Sequence, residues 1–278
     1  MSRPRSAGTA SARAPRAAAE PGGDLEPRTG NPVAAIERAS DVLLHFATGP
    51  SDFGITDIAN ELGMPKAAVH RILTSLRSRD LISIDPATRR YSLGPAALRL
   101  GLAYLNGMDV CRLASAELPG LSARTNETAT LSVRTGKSRV YVDQVTPQRE
   151  VIMSVSIGVP YPLHAGASSR AFLAFLPEAE IEAYLDRDLS AVTPATITDP
   201  RKLLRELKKI RSDGYARSAG ERQSGAASVA APIRDHLGRP AAVISVCGPA
   251  DRFGAGLDTC VKELLSTVGQ LSVRLGAE

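Results

Sequence analysis

Aromatic residues, cysteines and histidines are few in this sequence of 278 residues. There is no tryptophan, and the 4% aromatic content argues against a protein that holds single-stranded nucleic acid by base stacking. The three cysteines, Cys111, Cys247 and Cys260, are odd in number and far apart. We therefore expect neither disulfides nor a zinc cluster, and we expect a reducing cytoplasm. The four histidines lack the spacing of metal ligands, so we expect no metal and no cofactor.

Other absences narrow the class of protein. No apolar run is long enough to span a bilayer, so we expect no membrane partner. A P-loop and a Gly-x-Ser-x-Gly elbow are missing, and no acidic residue is suggested as the third member of a His164–Ser pair. We therefore expect no enzyme activity. Residues 1–30 are rich in Ala, Arg, Pro, Gly and Ser and have almost no large apolar side chains, which predicts a disordered leader.

The residues at positions 55–76 predict two short helices separated by a glycine. Thr56 is expected to cap the first helix, and Gly63 is expected to end it in the left-handed conformation. Pro65 suits the first turn of the second helix. Apolar residues then recur at i, i+3, i+4 and i+7, which predicts a buried stripe. This stripe consists of Val69, Ile72, Leu73 and Leu76.

The opposite face of the second helix carries cationic and hydrogen-bonding side chains, which suit the major groove of DNA. A β-hairpin is predicted directly after this helix, at residues 81–84 and 90–93, which is the position of a wing. Residues 66–99 have seven basic and two acidic side chains, a net charge of +5 that favours phosphate binding. The predicted DNA contacts are Lys66, Ala67, His70, Arg71, Thr74, Arg89 and Arg90.

A second domain is predicted after the hairpin. We expect a linker helix at residues 95–109, apolar on more than one face, which suits dimerisation and coupling between domains. Residues 110–278 combine helices with strands of period two, including a strand at 151–157, and predict an α+β domain with a mostly antiparallel sheet. The expected fold is therefore α+β with two domains, of which the first, a winged helix-turn-helix, occupies residues 31–94.

Several blocks, taken in order, resemble the IclR family of bacterial transcriptional regulators over residues 33 to about 250. LGMPK at 62–66 and VHRIL at 69–73 resemble the recognition helix of the family, and RYSLG at 90–94 resembles the exit of its wing. PLHA at 162–165 and AAPI at 230–233 resemble its C-terminal signature. The resemblance implies a C-terminal domain of GAF-like fold that binds a small effector, often a small carboxylate, an aromatic acid or a lactone. It also implies a homodimer or tetramer.

The sequence departs from the family pattern where ligands are bound. Ala67 and Ala68 replace the Ser and Thr common near the start of the recognition helix, so base contacts fall more heavily on the neighbouring polar residues. Ser228 stands where many members have cysteine, and Ser218 where an acidic residue is sometimes found. By resemblance, the effector pocket is lined by Gly166, Ala167, Ser168, Ser218, Ser228, Ser245 and Cys247. Small donors and exposed amides suit a compact anion such as a carboxylate, although each serine alone also fits a structural role.

These features predict a DNA-binding transcriptional regulator whose affinity for a double-stranded operator is modulated by a small, carboxylate-type effector. Two recognition helices of a dimer are expected to enter successive major grooves of a pseudo-palindromic operator. The alternative is a protein-interaction module with a degenerate winged helix. Salt separates the two hypotheses, because DNA affinity falls steeply with ionic strength.

Overall fold

The computed structural model of the chain describes residues 34–47 and 50–277, except for the side chain of Asn106. The predicted leader at residues 1–30 and the predicted start of the first domain lie outside these residues. The N-terminal part has three helices and a hairpin, which form a winged helix-turn-helix. Its elements are α1 (Ala34–His45), α2 (Ile55–Glu61), α3 (Lys66–Arg77), β1 (Ile82–Ile84) and β2 (Tyr91–Leu93).

Helices α2 and α3 meet at the predicted glycine turn. Gly63 has φ +62°, the left-handed conformation that a residue without Cβ adopts at low cost. The prediction that Thr56 caps α2 is wrong, because the helix already begins at Ile55 and Gly54 is its N-cap. The Gly54 N–H donates to the Asp57 carboxylate at 3.1 Å, so an acidic side chain in the first turn satisfies the helix start.

The buried stripe of α3 holds the N-terminal core together. Val69, Leu73 and Leu76 are buried, and Ile72 is half-buried beside them, which confirms the predicted helical pattern. The stripe packs against buried residues of α1, of the segment between α1 and α2, of α2 and of the hairpin: Val42, Phe46, Phe53, Ile58 and Ile82. One face of α3 is thereby fixed in the core, and the other is left at the surface.

A glycine joins the wing to the linker helix. Strands β1 and β2 pair antiparallel, with Ile82 opposite Leu93. A Cβ atom on Gly94 would lie 2.2 Å from the Asp80 carbonyl oxygen, so a residue with a side chain does not fit there. Helix α4 (Pro95–Asn106) begins directly after this close approach, with proline in its first turn as is common at helix starts.

The C-terminal part is a six-stranded sheet with helices on both faces. Its strands lie in the order β5-β4-β3-β8-β7-β6, and all its ladders are antiparallel, which confirms the predicted sheet. The strands are β3 (Thr128–Thr135), β4 (Ser138–Val145), β5 (Pro160–Pro162), β6 (Ala216–Ala219), β7 (Ala226–Arg234) and β8 (Pro240–Pro249). The helices are α5 (Asp109–Thr125), α6 (Ala167–Ala174), α7 (Glu178–Leu185), α8 (Pro200–Asp213), α9 (Ala250–Phe253) and α10 (Leu257–Arg274).

The prediction of a strand at residues 151–157 is wrong. The edge of the sheet beside β4 is formed by the short β5 instead. Side chains of neighbouring strands hold the backbone of this segment in place of a ladder. The Gln144 side chain exchanges two hydrogen bonds with the Val155 backbone, at 2.9 and 3.0 Å. The Thr128 hydroxyl donates to the Met153 carbonyl at 2.5 Å. Strand β6, which is only four residues long, was not predicted.

The two faces of the sheet have separate cores. Helices α5 and α10 cover one face, where alternate residues of the central strands, such as Leu131, Ile244 and Val246, are buried. Helices α6 and α8 cover the other face, against Ala230 and Val243. Among the described residues, no helix is both long enough and apolar enough to cross a membrane.

Candidate functional site

The surface face of α3 carries the five helix residues predicted to contact DNA. Val69 and Leu73 have no exposed surface, and their burial turns the opposite side of the helix toward solvent. The residues on that side are all exposed: Lys66, Ala67, His70, Arg71 and Thr74. Two cations, an imidazole, a hydroxyl and a methyl group on one short helix match the donor, acceptor and methyl pattern of a major groove.

The tip of the wing is a turn stabilised by Asp85. Its carboxylate accepts hydrogen bonds from the Ala87 N–H at 2.8 Å and the Thr88 hydroxyl at 2.9 Å. These bonds, the Ala87 bond foremost, hold the pKa of Asp85 below its usual value. Arg89 follows with φ +59° and an exposed side chain. The turn therefore presents the Arg89 guanidinium at the end of the hairpin.

The neighbouring Arg90 has a different environment. Its Nε donates to the Asp52 carboxylate at 2.5 Å, and its Nη2 donates to the Asp52 carbonyl at 3.1 Å. The Asp57 carboxylate lies 3.7 Å from Nη1. The hydrogen bond to Asp52 is the main reason that the pKa of Arg90 is raised. Arg90 thus ties the base of the wing to the start of α2, and its predicted role as a DNA contact receives no support from this geometry.

A second candidate site is a cavity of about 340 Å³, including its open mouth, in the C-terminal domain. It lies on the sheet face that α6 covers. Strands β4, β6, β7 and β8 supply part of the wall, the start of α6 another part, and the segment between β6 and β7 the rest. The lining residues are Arg139, Tyr141, Gly166, Ala167, Ser168, Ser218, Glu221, Arg222, Gln223, Ala226, Ser228 and Cys247.

Gly166 places the start of α6 close to the cavity wall. It is the N-cap of this helix and has φ +86°. A Cβ atom at this position would lie 3.3 Å from the Cβ of Arg222, so glycine permits the close approach as well as the backbone conformation. The first N–H groups of a helix lack partners within it and carry partial positive charge. The cavity is therefore bordered by a helix end suited to an anion.

Six of the seven residues predicted for the effector pocket line this cavity, and Ser245 is the exception. Its hydroxyl lies 2.6 Å from that of Thr130 on the neighbouring strand, where both are buried. Ser245 shares a strand face with Cys247, but its hydroxyl is satisfied within the sheet and it does not line this cavity. Burial raises the pKa of Cys247 to about 12, so this lining thiol stays protonated.

Arg139 is the principal lining residue that the sequence analysis missed. Its side chain has no exposed surface. Among the residues that the structure describes, its guanidinium donates only to the Ser169 hydroxyl, at 2.8 Å, and to the Tyr141 hydroxyl, at 3.0 Å. The Nη1 atom has no hydrogen-bond partner among the described residues. Burial lowers the pKa of Arg139. The alternation of Arg139 and Tyr141 with Val140 and Val142 was a usable signal. It does not indicate, however, that the face with Arg139 and Tyr141 is the more deeply buried one.

Glu221 also lines the cavity and was not predicted. Its Oε1 lies 2.5 Å from Nη2 of the buried Arg170, and its Oε2 accepts the Gly166 N–H at 3.3 Å. Burial raises the pKa of Glu221, and the charge of Arg170 opposes this shift. Arg170 contacts Glu206 as well, at 2.9 Å. The carboxylate of Glu221 therefore has a counter-ion within the protein, Arg170, which it shares with Glu206.

The geometry gives no catalytic pair around His164. Its Nε2 donates to the Ser190 carbonyl at 2.9 Å, and its Nδ1 lies 2.9 Å from the Tyr184 hydroxyl. Both ring nitrogens are thus engaged away from Ser168 and Ser169. In the part of the chain that is described, no group of three or more His, Cys, Asp or Glu side chains is placed to hold a metal ion.

Comparison with known proteins matches both parts of the chain to one family. The IclR helix-turn-helix domain matches residues 35–86, and the bacterial transcriptional regulator IclR C-terminal domain matches residues 102–273. The transcriptional regulator KipR of Bacillus subtilis is 34% identical over 215 residues, which is 77% of this chain and 86% of KipR.

Solved structures share the fold over most of the chain. An IclR transcriptional regulator from Alicyclobacillus acidocaldarius has a TM-score of 0.79 at 32% identity, covering 87% of this chain and 98% of that one. An IclR homologue from Microbacterium hydrocarbonoxydans, solved in complex with 4-hydroxybenzoate, has a TM-score of 0.76 at 21% identity. It covers 87% of this chain and 98% of its own, and its likeness concerns the fold alone.

Proposed function

We propose that this chain, which belongs to the IclR family of bacterial transcriptional regulators, binds an operator as a homodimer and responds to a small anionic effector. The chain is a DNA-binding transcriptional regulator. The observation that carries the proposal is the exposed cationic face of α3, fixed by its buried stripe and followed by a wing. The family match favours this function over the alternative of a protein-interaction module. We infer that the protein regulates transcription in the cytoplasm and catalyses no reaction.

The proposed DNA contacts divide between α3 and the wing. Arg71 and Lys66 are assigned to base edges or phosphates, and His70 and Thr74 to hydrogen bonds within the groove. The Ala67 methyl group suits contact with a thymine methyl. Arg89, at the tip of the wing, is assigned to phosphate or the adjacent minor groove. Arg90 is assigned to support of the wing, because its guanidinium is already held by Asp52.

Exposed apolar side chains on more than one face of α4 support a dimer. Leu98, Leu100 and Tyr104 are more than half exposed, and Leu102 is nearly so, which is unusual for a helix of a monomer. Helix α4 also connects the wing directly to α5. We infer that two copies pair through α4, as a dimer or within a tetramer. A change in their orientation would then couple the cavity to the spacing of the two α3 helices.

The cavity supports a compact carboxylate as the effector. It combines hydroxyls from Ser168, Ser218 and Ser228 with the start of α6 and a guanidinium from Arg139. These are donor groups, and an anion is the ligand that accepts from all of them. A carboxylate bound there would contact both the sheet and α6.

Fluorescence anisotropy with labelled DNA from the intergenic region upstream of the gene tests this function. The expected result is tight binding that depends on DNA sequence and weakens steeply as salt increases. Arg71→Ala should weaken specific binding by about 1–3 kcal/mol, whereas Arg205→Ala, an exposed arginine on α8, should leave it unchanged. The proposal fails if the protein shows no preference over random DNA at any salt concentration. Normal operator affinity of Arg71→Ala would remove the assigned role of Arg71.

A further inference from the structure

The buried guanidinium of Arg139 lacks a counter-ion in the protein. Its partners are two neutral hydroxyls, those of Ser169 and Tyr141, and no carboxylate of the described residues lies within 4 Å of it. Burying an unpaired charge is unfavourable, and such charges are normally paired or bound to a ligand. Arg139 is one of the residues that line the cavity, and its buried Nη1 atom has no hydrogen-bond partner among the described residues. Arg139 therefore has both the charge and the free donor that an acidic ligand requires.

A second guanidinium lies on the same wall. The central carbon of Arg222 is 5.7 Å from the centre of the Tyr141 ring and 5.3 Å from that of Tyr161. The corresponding carbon of Arg139 is 4.0 and 5.1 Å from the same two rings. The two arginines thus share one pair of tyrosines. Arg222 donates to the neutral side chain of Gln223 at 3.3 Å and has no carboxylate within 4 Å in the part of the chain described.

The acidic residue of the cavity does not neutralise these two arginines. The Glu221 carboxylate contacts Arg170 and accepts the Gly166 N–H. Arg139 and Arg222 repel each other, and the charge of Arg222 adds to burial in lowering the pKa of Arg139. The start of α6 adds further positive potential at the same wall. Neither Arg139 nor Arg222 consequently has a carboxylate partner among the described residues.

We propose that the effector is a compact dicarboxylate, with one carboxylate on the buried Arg139 and the other on Arg222 nearer the mouth. This inference rests on the proposed function, because it names the chemical class that the effector site takes. The inner carboxylate accepts from Nη1 of Arg139 and from the neighbouring hydroxyls. The outer carboxylate accepts from Arg222, which is half-buried and so meets the ligand at the entrance. A monoanion would leave one guanidinium without a partner.

Isothermal titration calorimetry on the full chain tests the proposal with malonate, succinate and glutarate, in a buffer free of phosphate and at constant chloride. The matched probe is succinamate, in which a neutral amide replaces one carboxylate of succinate. A hydrogen bond to a charged group contributes about 1.5–3 kcal/mol, so the best dicarboxylate should bind about 10- to 100-fold more tightly than the monoacid probe. Glycerol phosphate serves as a dianion of different chemistry.

Three variants assign the two carboxylates. Arg222→Gln should reduce the preference for the dicarboxylate over succinamate to about unity, because the outer charge is lost while the inner one stays. Arg139→Gln should weaken both ligands by about 10- to 100-fold. Arg217→Gln, an exposed arginine of β6 that does not line the cavity, is the control and should change neither affinity. If Arg139→Gln does not fold, the result for the half-buried Arg222 decides.

The outcomes separate this inference from the proposed function. Equal affinity for succinate and succinamate overturns the dicarboxylate, while a carboxylate effector as such stands. Tighter binding of glycerol phosphate than of every dicarboxylate overturns it in favour of a phosphorylated ligand. No binding of any dicarboxylate at about 10 mM, well above a millimolar dissociation constant, also overturns it. DNA binding measured on the same preparation shows whether the regulator itself is intact.

Discussion

Replacing Arg89 or Arg90 with alanine should have different effects on DNA binding, although the two residues are adjacent. Arg89 is exposed at the tip of the wing, where its cation is available to a phosphate. Arg90 is held by Asp52 at 2.5 Å and lies near Asp57. Removing Arg89 should delete one phosphate contact per protomer. Removing Arg90 should loosen the wing without deleting a contact.

The size of the difference follows from counterion release. Each phosphate contact contributes about 0.9 to the slope of log K against log salt, so Arg89→Ala should lower the slope by about 1.8 for a dimer. Between about 50 and 200 mM salt, the wild-type protein should then lose about tenfold more affinity than this variant. Arg90→Ala should bind more weakly at every salt concentration while the slope remains that of the wild type.

The assay is fluorescence anisotropy on the operator across a salt series, with Asp52→Ala as the matched control. This variant removes the Asp52 carboxylate from the same contact while Arg90 keeps its contacts with the Asp52 carbonyl and Asp57, so it should loosen the wing as Arg90→Ala does, but to a smaller extent. The double variant should be no weaker than Arg90→Ala, because both substitutions remove the same interaction. A slope for Arg90→Ala that falls as much as for Arg89→Ala would refute the reasoning, since it would mean that Arg90 leaves Asp52 and contacts phosphate.

Two further predictions concern the effector cavity and the hydrophobic core of the N-terminal domain. Ser228→Leu should abolish the response to effector while sparing DNA binding, because a larger apolar side chain fills the cavity. Fluorescence anisotropy with and without the best carboxylate measures this response. An unaltered response would mean that the cavity is not the effector site. Leu73→Ala should lower the free energy of unfolding of the N-terminal domain by about 2–5 kcal/mol, measured by urea unfolding. Thr74→Ala, at the exposed neighbouring position, should change it by about 0.5 kcal/mol or less. Similar losses for both variants would contradict the burial of Leu73.

The N-terminal domain was largely predictable because its signals are local. The apolar spacing from Val69 to Leu76, the left-handed turn at Gly63 and the hairpin after it each depend on residues close in sequence. Such patterns fix which face of α3 is buried, and hence which face is exposed. The wrong prediction that Thr56 caps α2 also has a local cause. Gly54 is the N-cap, and its N–H donates to the Asp57 carboxylate three residues later.

The effector cavity was predictable only in part. Family resemblance led to Gly166, Ala167, Ser168, Ser218, Ser228 and Cys247, which the fold brings together around one cavity. It did not lead to Arg139, Arg222 or Glu221, because nothing local distinguishes a charged residue beside a cavity from one on the surface. Ser245 fits the same strand pattern as Cys247, but its hydroxyl is engaged by that of Thr130 on the neighbouring strand. The sequence pattern does not reveal this contact.

The sequence alone determined the elements of the N-terminal domain, the exposed face of α3 and the family to which the chain belongs. These depend on periodicity and on short motifs, which act within a few residues of each other. Tertiary structure alone decided that Arg90 contacts Asp52, that Glu221 contacts Arg170 and that Arg139 contacts no carboxylate among the residues described. The partners in each pair come from separate elements, so the charge balance of a site exists only after the sheet and its helices have assembled.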